Sequence, residues 1–172
     1  MPPWWLLGIG FTHVQILSQY AGSGLFHGMA GLPVSTDVAW FVGMGANILV
    51  LLACGAVFRG PRLDRLKRLL APSIILNIVG FLLSVWPTGV TANDDPVALL
   101  GAIALGMGQA IMFLLWADVF NRAKIEEAEI ALPLSSLVVL AYAVVVPLLP
   151  ASLNGIPMLV APLASGATLY LS

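Results

Sequence analysis

The chain has 172 residues, 60% hydrophobic and 9% charged, with a net charge of −1, a mean hydropathy of +1.01 and a pI near 6.0. A water-soluble domain carries roughly 25% charged residues, so this composition calls for lipid, and helices of roughly 20 residues each would use the whole length. Its seven basic residues sit in short loops and make no electrostatic footprint for DNA or RNA.

Six apolar segments, at about 4–22, 37–58, 69–86, 96–120, 128–149 and 153–171, separate at clusters of Gly, Pro, Asn, Asp or charge. Open sheet edges cannot face hydrocarbon and alternating ten-residue strands are absent. The expected fold is therefore all-α: one polytopic domain over 1–172 with about six transmembrane helices.

The first segment follows MPPWWLLGIGF, which lacks a basic n-region and a small-residue cleavage pattern, so it reads as a retained span and not a signal peptide. His13, Gln15 and Gln19 place polar groups along it. An ionisable residue at such depth is a candidate ligand contact or pH-responsive group, and equally a neutral structural histidine. The second segment carries Asn47 at mid-span and Cys54, the one cysteine, which in an apolar run behaves as a small hydrophobe. Asn77 lies within the third. Amides in a membrane either bond across helices, each adding roughly 1 kcal/mol, or line a small polar cavity.

On the fourth segment Ala98, Ala102, Gly106 and Ala110 recur every four residues, giving one smooth face for close helix packing, with Gln109 beside it. Asp118 and Arg122 suit an i,i+4 ion pair. Glu126, Glu127 and Glu129 open the fifth segment, at the positive end of the helix dipole. The sixth holds Pro157 and Pro162 and stops without a basic flank, which fits either a short tail or half of something longer.

No P-loop, zincin or nucleophile-elbow pattern occurs. Asp94 and Asp95 are neighbours in a turn, so their side chains diverge and make no acid and base pair. His27 is the only other histidine, and no Cys or His stands at ligand spacing. The expectation is no enzyme, no metal and no cofactor.

Orientation has one clear signal. Arg59, Arg62, Arg65, Lys67 and Arg68 follow the second segment, and Arg122 and Lys124 follow the fourth. The positive-inside rule makes that side cytoplasmic, with both termini inside an inner (cytoplasmic) membrane. Trp4, Trp5, Trp40, Trp86 and Trp116 fall toward segment ends, where indoles prefer the headgroup region.

The loop Gly60, Pro61, Arg62, Leu63, Asp64, Arg65, Leu66, Lys67, Arg68 resembles the GxxxDRxGRR signature of the major facilitator superfamily in the corresponding loop. Gly60, Asp64, Arg65 and Arg68 fall on its positions, and Lys67 replaces the second glycine. The resemblance implies a six-helix half of a fold whose two halves surround a midplane site. The fourth span lacks the buried arginine associated with proton coupling, and the fifth lacks the glycine and proline run of antiporters, which argues against active transport. The stretch LGMGQAIMFLLWADVFNRAKIEEAEIALPLSSLVV, with Trp116 near its inner end, is similar to the membrane region of LuxR-type regulators, though this chain carries no helix-turn-helix module. These resemblances imply a sensory or ligand-responsive membrane module. A small-solute transporter half acting as a dimer and a structural partner in a membrane complex stay open. The expected partners are the bilayer and a second copy or second six-helix half, with the ligand unread.

Overall fold

The computed structural model describes residues 4–20, 37–57, 68–84, 96–145, 148 and 155–171. Among them there are helices and no strand. A 3-10 turn at Trp4–Gly8 runs into α1, Ile9–Tyr20. There follow α2 at Asp37–Val57, α3 at Leu70–Ser84, α4 at Pro96–Arg122, α5 at Ile125–Val145 and α6 at Ile156–Leu171. Three of them, α2, α4 and α5, are long and apolar enough to cross a membrane.

Local chemistry fixes several of these boundaries. Pro96 opens α4, where its fixed φ suits the first turn and its missing N–H is no loss. The fifth helix begins at Ile125, three residues before the start expected from hydropathy. The Lys124 N–H donates to Glu127 Oε2 at 3.3 Å, while the Glu127 and Ala128 N–H groups both donate to the Lys124 carbonyl at 3.0 Å. That is one arm of a capping box, and it starts the helix in a charged stretch that hydropathy passes over.

Two buried clusters mark the two ends of the bundle. The first unites Leu6 from the 3-10 turn, Ile9 from the start of α1, Leu115 and Trp116 from late α4, Ala131 from early α5 and Leu169 from late α6, with Leu70 of α3 packed against them. The second joins Phe81 late in α3, Leu105 in the first half of α4 and Met158 early in α6. The helices α1, α3 and α5 therefore run one way and α4 and α6 the other. Arg68, Arg122 and Lys124 share the end at which α1 begins and α6 finishes.

Neighbour relations have a further regularity. The helix α4 packs along α2 and α3, α1 packs along α5 and α6, and α1 touches α4 while α3 touches α6. Exchanging α1 with α4, α2 with α5 and α3 with α6 leaves each of these pairings in place. The weaker α4 and α6 contact has its counterpart in a hydrogen bond between α1 and α3, from Gln15 to Asn77. Since α1 and α4 are antiparallel, this neighbour pattern is the one that two inverted three-helix units would give.

Candidate functional site

Small residues set how closely these helices approach. A Cβ on Gly106 of α4 would land on the Gly43 carbonyl of α2, and one on Gly43 would stand 3.0 Å from the Ala102 carbonyl. Within the stripe Ala98, Ala102, Gly106 and Ala110, the middle pair Ala102 and Gly106 is thus covered by α2 of the same chain. A second seam lies along α3, where a Cβ on Gly101 would sit 2.8 Å from the Gly80 carbonyl oxygen and one on Gly108 2.8 Å from Asn77 Nδ2. Without side chains at these points, backbones pack where dispersion is strongest.

Among the described residues seven polar side chains are buried in this frame: Thr12, Gln15, Ser73, Asn77, Gln109, Ser135 and Ser165, each at most 5% exposed. None is ionisable. Asn77 Nδ2 donates to the Ser73 carbonyl at 2.8 Å, which turns its Oδ1 toward α1, and Gln15 Nε2 donates to that oxygen at 2.7 Å. The Trp116 indole N–H donates to Ser165 Oγ at 2.8 Å, and Thr12 Oγ1 lies 2.8 Å from the same oxygen. Thr12 and Gln15, one turn apart on α1, therefore reach α6 and α3 respectively. Gln109 shares a face of α4 with Met112 and Trp116, and all three are buried. Such a core can hold register and recognise neutral donors and acceptors.

The residues singled out from sequence divide accordingly. Asn77 and Gln109 belong to the buried core. His13 is exposed on α1, its ring edge-to-face with Phe113 of α4 at a centroid distance of 5.8 Å. Asn47 is only partly buried on α2. Arg68 is exposed in the turn before α3, while Gly60, Asp64 and Arg65 lie outside the described residues. Asp118 and Arg122 form their i,i+4 pair at 2.9 Å.

One expectation needs correction. Trp116 does not sit at a headgroup surface: it is fully buried, held inside by Ser165 and by Gly8, which leaves room for its ring. A second copy or second six-helix half stands as an expected partner. Gln15, Asn77 and Gln109 are at most 1% exposed, so association draws no support from them or from the Ala102 and Gly106 pair under α2. Thr12, Ser73 and Ser165 went unremarked in the sequence. Their signal was spacing, with Thr12 and Gln15 at i,i+3 and Ser73 and Asn77 at i,i+4, each pair on one helical face.

Among the described residues no three His, Cys, Asp or Glu side chains converge. No family model, no curated protein and no solved structure matches the chain.

Proposed function

We propose that the chain is a membrane-spanning six-helix module, resembling one half of a facilitator-type domain, with a sensory or ligand-responsive role. The exchange pattern of the helices is the observation that carries this reading, because inverted three-helix repeats are a recurrent design of membrane transport folds, with sites near the midplane between repeats. The bare apolar surfaces of α2 and α5, with Leu49, Leu52, Leu137 and Leu140 all more than half exposed, suit hydrocarbon and would be a liability in water. Arg68, Arg122 and Lys124 at one end suit the cytoplasmic face of an inner membrane, and both termini would share that side.

A responsive module needs two arrangements with different affinity for a ligand. The Thr12 to Ser165 contact joins the two three-helix units through a pair of hydroxyls, while small-residue seams let helices slide with little steric penalty. A second six-helix half or a second copy would complete the assembly. The same pattern also favours a small-solute transporter half, and a flux measurement separates the readings. Proteoliposomes of the responsive module do not swell in glycerol or urea, whereas a transporter's do.

Topology is tested by reporter fusion. A reporter active only outside the cytoplasm should be active when fused at Ala92 and silent at Pro61. The reverse result, or equal activity at both, defeats the membrane arrangement proposed.

A further inference from the structure

Only Ala123 and Lys124 separate α4 from α5, yet those two helices touch each other marginally and both lean on α1. At the basic end the wedge between them is filled, since Leu6 of the 3-10 turn, Ile9 of α1, Leu115 and Trp116 of α4 and Ala131 of α5 share one buried cluster. One turn beyond Ile9 the filling stops and His13 is exposed.

The imidazole is held in a defined state. Its Nδ1 lies 3.0 Å from the Ile9 carbonyl oxygen, which can only accept, so Nδ1 carries the hydrogen. In the neutral ring Nε2 is then a bare acceptor. Among the described residues nothing donates to it. Phe113 fixes the ring from the α4 side, edge-to-face at 82°, and Val138 of α5 packs on Gly10 one turn below. Thr12 and Gln15, its polar neighbours on α1, are turned to other faces by their bonds to Ser165 and Asn77.

Depth makes this acceptor informative. A 3-10 turn rising about 2 Å per residue and the first α-helical residues at about 1.5 Å each carry the chain roughly 16 Å from Trp4 to His13. That is near the middle of a hydrocarbon layer about 30 Å thick. Lipid offers no hydrogen bond to Nε2, and ionisable side chains at such depth face protein or water. We propose that the gap between α4 and α5 is a water-filled ligand cleft. In it, His13 Nε2 accepts a hydrogen bond from water or from a small amphipathic solute whose O–H or N–H meets the imidazole while its apolar body lies on Phe113. This inference rests on the membrane reading above.

The test uses the full chain in native membranes. In a Cys54→Ala background, Phe113→Cys is compared with Leu49→Cys of α2 and Leu137→Cys of α5, using a charged, membrane-impermeant thiosulfonate. The Phe113→Cys variant should be labelled while the two references stay silent. Independently of that substitution, a His27→Gln chain should be modified at His13 by water-borne diethyl pyrocarbonate. Benzyl alcohol should slow this modification more than toluene does at equal membrane content. A silent Phe113→Cys, or a His13 that reacts only after unfolding, would overturn the cleft. Equal protection by toluene would overturn the hydrogen-bonding ligand. Labelling of all three cysteines would overturn the membrane reading itself.

Discussion

The helices α4 and α5 are consecutive, similarly apolar and both long enough to span a bilayer, yet they occupy opposite situations. In its most apolar stretch α4 has 44% of its residues buried, against 11% for α5 and 6% for α2. Hydropathy alone does not distinguish them. What separates them is where the small residues fall. On α4 they make two faces, one at Ala102 and Gly106 under α2 and one at Gly101 and Gly108 under α3. The fifth helix offers one such contact, its Ser135 carbonyl lying 2.6 Å from where a Cβ on Gly10 of α1 would stand, and most of its surface beyond Ala131, Ser135 and Val138 is exposed. A helix with two smooth faces can be shared by two neighbours, and that makes it central.

The comparison breaks most visibly at the seam. Gly106→Leu should push α2 off α4 at a cost of about 1–3 kcal/mol or more, read as lost folded yield in fluorescence-detected size exclusion. Gly45→Leu, at a position on α2 with open space around it, should leave the yield unchanged. Equal losses would mean that α2 is packed on both sides.

A smaller effect is expected from the polar core. Asn77→Leu strands the Gln15 amide in a dry interior and should cost about 1–3 kcal/mol. Adding Gln15→Leu should restore part of that loss, since two apolar partners leave nothing unpaired. A double variant as unstable as the sum of the singles would show that the bond between Gln15 and Asn77 has no coupling. Smallest of all, Asp118→Asn removes an exposed ion pair and should change stability by less than about 0.5 kcal/mol, measurable by reversible unfolding in mild detergent.

Much of the helix pattern was legible because each apolar segment is bounded by residues that stop helices or carry charge. The six helices and the small-residue stripe of α4 follow from that spacing. The partner of the stripe did not, because a run of Ala and Gly says only that something approaches closely. Nor did the fate of Trp116, whose place near the end of a long apolar run suggests an interface. The deciding residues, Gly8 and Ser165, lie more than a hundred positions away in one case and about fifty in the other, on helices brought together only by the fold. His13 was visible as an unusual residue, but its exposure depends on the divergence of α4 and α5, which no local pattern encodes.

In the membrane arrangement proposed above, α4 is the shared interior helix and α5 a lipid-facing one. A nitroxide scan in nanodiscs tests it directly, with single cysteines at successive positions along Leu99–Phe113 and Leu132–Val145 in the Cys54→Ala background. Collision with oxygen, which concentrates in hydrocarbon, should rise and fall with a helical period along α4 and stay high at nearly every position of α5. Equally strong periodicity on both helices, or low oxygen and high aqueous-quencher access along α5, would contradict it.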